Sequence, residues 1–282
     1  MKTRSRFAAL TGALVLVAAA CSSGSSTAAS TPKKAAAKPA AANAPMKLPA
    51  FTNSMKVAFT SPTTGVKITD NMISVKVDAT GYRLACDAAG KPVTAGVGHY
   101  HLLLDKSLIN MYCTPDATVS LQNVSPGMHA LEVVPALNDH AEVMGAAQTL
   151  SFDYEPTNPA PAVTDASDAS APSIKIVSPK AGDTVKGDFD VVVEIANFHN
   201  SCDLYGKPSV AGYGHWHVNL NTTTGPMMGM GTMLGMSCQN VFHASTAGLA
   251  SGSTQRVLAL LVDNSHAPLH PSTMSAVQVK VG

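Results

Sequence analysis

The sequence predicts an all-β protein built of two tandem antiparallel sandwich domains, and three observations carry the prediction. The stretch from Ala85 to His101 recurs from Ser201 to His217. Cys86 and Cys202, Asp87 and Asp203, Gly90-Lys91-Pro92 and Gly206-Lys207-Pro208, Gly98 and Gly214, and two histidines all coincide at one constant offset, which is the mark of a tandem duplication. Apolar residues flanking each copy alternate with period two, as on a half-buried strand. No long stretch carries the helical period, and 21 glycines and 18 prolines divide the 282 residues into short segments.

The elements follow in chain order. Residues 1–20 are expected to be a lipoprotein signal peptide, because Lys2, Arg4 and Arg6 precede the apolar run from Phe7 to Ala20, which is too short for a comfortable membrane span. Val17-Ala18-Ala19-Ala20-Cys21 resembles the lipobox of bacterial lipoproteins, which implies cleavage before Cys21 and a lipid on that cysteine; an ordinary secretion signal is the alternative. Residues 21–54 are Ser, Ala, Pro, Lys and Thr with little to bury, the composition of a disordered tether. Loss of the signal removes three bases from a total of 19 Lys+Arg against 18 Asp+Glu, so the mature chain is slightly acidic and no nucleic-acid partner is expected.

Repeat one is expected over residues 55–154 and repeat two over 173–282, joined by a Pro-rich, polar linker over 155–172 that is not expected to pack. Each repeat opens on a short strand and a Ser-Pro turn, at Ser61-Pro62 and at Ser178-Pro179. Ile73, Val75 and Val77 then share one strand face, as do Phe189, Val191, Val193 and Ile195 in the second copy, and further strands are expected at Ala130–Val134, Thr149–Tyr154, Val257–Val262 and Ala276–Val281. About seven short strands per 100 residues indicate an immunoglobulin-like sandwich in each repeat.

Five cysteines are present. With Cys21 set aside, the others fall two per repeat, and an even number in an exported chain predicts the disulfides Cys86–Cys113 and Cys202–Cys238. One such bridge is worth roughly 3 to 4 kcal/mol in the chain-entropy model. Thiolate ligation of copper or zinc is the alternative, although no Cys-x-x-Cys pair is present.

His99 and His101, like His215 and His217, lie two apart on a predicted strand, so both rings of a pair leave by the same face while Tyr100 or Trp216 turns to the core. A third histidine, His140 or His266, enters a loop after a later strand of each repeat. Three imidazoles per domain make a candidate metal site; a solvated pair of polar side chains is the plainer explanation for either pair alone. The glycines before each pair, Gly96 and Gly98 or Gly212 and Gly214, leave space for backbone or ligand to approach.

Repeat one resembles a bacterial domain family of unassigned function that is marked by a Gly-His-His-His-Leu-Leu-Ile-Asp strand, a Pro-Gly-x-His-x-Leu turn and a downstream Asp-x-x-His. The residues that carry the resemblance are Gly98-His99-Tyr100-His101-Leu102-Leu103-Leu104-Asp105, Pro126-Gly127-Met128-His129-Ala130-Leu131 and Asn138-Asp139-His140. Repeat two keeps the histidine pair but has Asn221 for the acid and Gln255 for the turn histidine. The resemblance implies a domain type and a candidate site, not a reaction.

Repeat two also holds five methionines between Met227 and Met236, set among glycines. Thioethers beside histidines suit copper in its soft Cu(I) state, so Met230, Met233 and Met236 are candidate ligands; filling of irregular gaps is the alternative. Nucleophile, zinc-protease and phosphate-loop signatures are missing, and no enzyme is expected. The sequence therefore points to a lipid-anchored extracytoplasmic binding protein whose cofactor is copper or another transition metal. A non-metal surface lipoprotein that binds wall polymer or another protein is the alternative, and neither the partner nor the oligomeric state can be read.

Overall fold

The computed structural model describes residues 48–224 and 230–282. The expected signal peptide, Cys21, most of the expected tether, and Met227 and Met228 lie outside the described residues.

The first domain contains β1 (Lys56–Ser61), β2 (Val66–Ile68), β3 (Met72–Thr80), β4 (Arg83–Leu84), β5 (Val97–Leu104), β6 (Ser107–Tyr112), β7 (Asp116–Ser120), β8 (Gly127–Leu137) and β9 (Gln148–Tyr154). The second contains β10 (Ser173–Ser178), β11 (Thr184–Val185), β12 (Asp188–Ala196), β13 (His199–Asn200), β14 (Tyr213–Leu220), β15 (Met233–Ser237), β16 (Val241–Ser245), β17 (Thr254–Asp263) and β18 (Met274–Val281). Each domain is a sandwich of a three-stranded and a six-stranded sheet. The orders are β1-β3-β7 against β2-β9-β8-β5-β4 with β6 on β5, and β10-β12-β16 against β11-β18-β17-β14-β13 with β15 on β14. The sheets are all-β and immunoglobulin-like, as the alternation predicts, but not wholly antiparallel. The short strands β2, β4, β11 and β13 pair in parallel with β9, β5, β18 and β14. Pieces of two or three residues between turns carry too little alternation to be seen in a sequence, so each domain has nine strands where about seven are expected.

Period-two burial sets the registers. Along β3 the inward Ile73, Val75 and Val77 are buried and their neighbours exposed. They meet Tyr100, Leu102, Leu131, Val133 and Phe152 from the larger sheet. In the second domain Val191 and Val193 meet Trp216, Val218, Val257 and Leu261. Burial of one such side chain is worth about 1.5–3 kcal/mol, so these inward rows fix which face of each strand turns to the core. Disulfides join Cys86 to Cys113 and Cys202 to Cys238, with Cα atoms 5.4 and 5.2 Å apart. Bonds of this kind form and persist outside the reducing cytosol.

Two expectations are corrected. Leu48 and Phe51, assigned to the tether, pack with Met55, Leu137 and Val143. The linker also packs: its carbonyls at Asn158, Pro161 and Val163 accept bonds from the side chains of Asn71, Gln122 and Asn123, and Ala166 N–H donates to Ala211 of the second domain. Side-chain amides thus supply the partners that a polar, Pro-rich backbone cannot find in a ladder. The described residues form one compact unit, in which β5 and β14 are buried on both faces and the two histidine faces meet across Met111, Met233 and Leu108.

Candidate metal centre

β5 carries His99 and His101 beside β8, with His99 opposite Ala136 and His101 opposite Val134. β14 carries His215 and His217 beside β17, opposite Val262 and Leu260. Tyr100 and Trp216 point into the two sandwich cores, so the period of the strand forces both imidazoles of each pair to the other side. Close approach of backbone at the preceding glycine is by protein: a Cβ on Gly98 or Gly214 would strike the carbonyl of Ala136 or Val262 on the neighbouring strand.

The third histidine of each group lies in the tight turn that leaves β8 or β17. Both occupy the left-handed region, His140 at φ 62° and His266 at φ 68°. That conformation is uncommon for a side-chain-bearing residue and concentrates at functional positions. The turns are tied by His140 N–H to the Leu137 carbonyl and His266 N–H to the Asp263 carbonyl, and the carboxylates of Asp139 and Asp263 accept from the amides that follow.

The result is two compact triads. In the first, Nε2 of His99 lies 3.1 Å from Nε2 of His101 and 3.1 Å from Nδ1 of His140, and the latter two are 3.3 Å apart. In the second, the corresponding separations among His215, His217 and His266 are 3.1, 2.9 and 3.3 Å. A point about 1.8 Å from all three nitrogens exists in each triangle, close to the length of a bond from imidazole nitrogen to a transition metal, so these three histidines would be the ones to hold an ion.

The outer nitrogens say where protons are. His101 Nδ1 is 2.7 Å from the Glu142 carboxylate, and His140 Nε2 is 2.7 Å from the Met233 carbonyl. Both partners accept, so these outer nitrogens carry hydrogens; on His140, which burial holds neutral, the Nδ1 lone pair then faces inward, 3.3 Å from Nε2 of His101. In the second domain His266 Nε2 donates to the Leu108 carbonyl at 2.8 Å, which turns its Nδ1 lone pair inward in the same way. Such outer partners are what orient histidines in metal sites. Nδ1 of His99 and of His215 is buried without a partner.

Burial disfavours the charged form of His99, His140, His215, His217 and His266. His99, His140 and His215 are fully enclosed, and even His217 is only 6 % exposed. Desolvation, with smaller contributions from neighbouring imidazoles, holds His99, His215 and His217 well below the ordinary histidine range, and pushes His140 down to about 3. His266 is lowered by burial, against the opposing pull of the Leu108 carbonyl and Asp263. Three converging imidazoles, of which His140 and His266 turn a lone pair inward, are a ligand set for a transition metal.

Other predicted residues fall nearby without joining the triads. Met233 is buried with Met111 and Ala89, and Met230 and Met236 pack against this group in the layer between the domains. Met111 stands directly across from His101, and Met236 from His217. Glu142 was not singled out from the sequence; its only signal there is an acid two residues after His140. His129 of the Pro-Gly-x-His motif binds Asp105 and the Ser125 carbonyl, away from the triad.

No family model matches the chain, and no curated protein matches it. Among solved structures, the fibronectin(III)-like modules of Clostridium thermocellum CbhA align with 80% of this chain and 93% of their own at 13% identity and a TM-score of 0.25. CopC from Methylosinus trichosporium OB3b aligns with 38% of this chain and 99% of its own at 11% identity and a TM-score of 0.23. A Dscam isoform aligns with 82% and 47% at 10% identity and a TM-score of 0.21. These scores assign neither family nor activity.

Proposed function

We propose that the protein binds transition-metal ions, one per histidine triad, and that copper is the ion it handles. The observation that carries this reading is the convergence of three imidazole nitrogens in each triad, all within 3.3 Å of one another. Three imidazole nitrogens converging at such distances are a ligand set for a transition-metal cation. Copper is favoured by imidazole ligation together with the thioethers of Met111, Met230, Met233 and Met236 in the adjoining layer.

The protein is a binding protein and not an enzyme, and it acts outside the cytoplasm on a lipid anchor at Cys21. The two disulfides support the compartment, and the lipobox-like segment supports the anchor. The burial of the first triad, and of all but the half-buried His266 in the second, suits retention of an ion better than turnover of a substrate. It also leaves the histidine face no access to a wall polymer or a second protein.

Tag-free protein loaded with Cu(I), Cu(II) or Zn(II) and then desalted is expected to retain close to two ions per chain, with copper preferred. His99→Ala with His101→Ala is expected to halve that number. Retention of no metal, or unchanged retention by the double variant, would overturn the assignment.

A further inference from the structure

His140 and His266 donate in opposite directions across the same boundary. All ligands of the first triad belong to the first domain, yet the acceptor that sets the tautomer of His140 is the Met233 carbonyl, on β15 of the second domain. All ligands of the second triad belong to the second domain, yet the acceptor for His266 is the Leu108 carbonyl, on β6 of the first. Leu108 and Met233 are equivalent residues: each pairs across its hairpin with the position two after the second strand histidine, Leu103 in one domain and Asn219 in the other. The exchange is therefore reciprocal.

The seam is shaped around these carbonyls. A Cβ on Gly90 would strike the Met233 carbonyl, and one on Gly206 the Leu108 carbonyl, so the duplicated Gly-Lys-Pro loops admit the opposite domain's backbone at both places. Lys91 then fastens the seam, donating through Nζ to the carbonyls of Ser245 and Ala247 at 2.7 and 2.6 Å while only 5 % exposed.

We propose that the seam is part of both metal centres: each domain supplies the group that orients a ligand of the other, and an ion in either triad clamps the two domains together. The proposal rests on the reading of the triads as metal sites. An ion on Nδ1 withdraws charge from the ring and strengthens the Nε2–H donor on its far side, so coordination tightens the bond to the opposite domain. Equally, any loosening of the seam leaves His140 and His266 without their orienting acceptors, the kind of loss that typically weakens metal affinity by about 10–100-fold. Lys91 touches no triad and acts as a positioning residue through the docked domains.

The test uses the full chain and Cu(I) as the probe. Lys91→Met is titrated against a chromophoric competitor beside the wild type, and its affinity at both triads is expected to fall by about tenfold or more. A second measurement does not depend on that variant. In His215→Ala with His217→Ala, only the first triad remains, and Cu(I) is expected to increase hydrogen-exchange protection in Met233–Ser237, a strand of the other domain. Wild-type affinity in a folded Lys91→Met, or protection confined to the first domain, overturns the clamp and leaves the metal assignment standing. No uptake by the wild type overturns both.

Discussion

The carboxylate of Glu142 lies 2.7 Å from Nδ1 of His101, and among the described residues of the second domain Pro268 stands at the equivalent place. There the short bridge that pairs Ala136 with Glu142 is matched by one that pairs Val262 with Pro268. A carboxylate on the outer nitrogen makes an imidazole a stronger ligand, so the two triads are chemically unequal despite equal geometry. Glu142→Ala is expected to weaken the first site by about 10–100-fold and to leave the second within a factor of two, read by competitive titration of the wild type and variant. Equal loss at both sites would show that Glu142 acts on the fold and not on His101.

Lys207 offers a prediction about stability alone. It is the counterpart of Lys91 and is 3 % exposed, but its ammonium has no hydrogen-bond partner among the described residues, and burial pulls its pKa down to about 8. At neutral pH a charge is thus buried without a hydrogen-bond partner, and the attraction of Asp105 and Asp203 offsets only part of its desolvation. Lys207→Met keeps the length and apolar stem, and is expected to raise unfolding free energy at pH 7 by about 1–3 kcal/mol in denaturant titration. A loss of stability would mean that the ammonium is held by interactions absent from this structure.

The depressed histidines set an acid limit. In the unfolded chain they protonate near 6.5, whereas His140 resists protonation to about 3 in the folded protein and His99, His215 and His217 are also held well down. Below pH 6.5 the unfolded state therefore binds more protons than the native one, so stability falls as pH falls toward about 3. The slope reaches about 1.4 kcal/mol per pH unit for each such histidine. Chemical denaturation of the metal-free protein at pH 7.5, 6 and 5 is expected to show this decline, and His140→Phe is expected to flatten it. A flat profile in the wild type would contradict the burial described here.

A swap between repeats is expected to be nearly silent. Asp105 binds His129 at 2.7 Å and accepts from Ala130 N–H at 3.0 Å, and in the second domain Asn221 binds Gln255 at 2.8 Å and accepts from Arg256 N–H at 2.9 Å. The two motif residues that differ between the copies thus differ together and do the same work, closing a turn onto a strand. Asp105→Asn with His129→Gln is expected to recover most of the roughly 0.5–1.5 kcal/mol lost by either change alone, measured as a double-mutant cycle. Additive losses would assign the pair separate roles.

What was legible in the sequence was what repetition and strand period control. The convergence of His99 with His101, and of His215 with His217, needs only an extended strand with an aromatic residue between them facing the core, and Tyr100 and Trp216 provide it. Cysteine pairing followed from two per repeat in an exported chain. What stayed hidden depends on contacts between distant segments. No local pattern shows that backbone carbonyls at Leu108 and Met233 serve the opposite domain's histidines, because a carbonyl is common to every residue. The packing of Leu48 and Phe51 was likewise masked by the Ala- and Pro-rich composition around them.

The face-to-face burial of β5 and β14 bears on how such a chain could arise. Two like surfaces that exchange identical bonds in both directions are the hallmark of a two-fold symmetric homodimer. Duplication and fusion of its gene would give this molecule, freeing the halves to diverge as Glu142 and Pro268 have. A protein with a single copy of the unit is accordingly expected to self-associate through its histidine strand, a state that sedimentation would reveal.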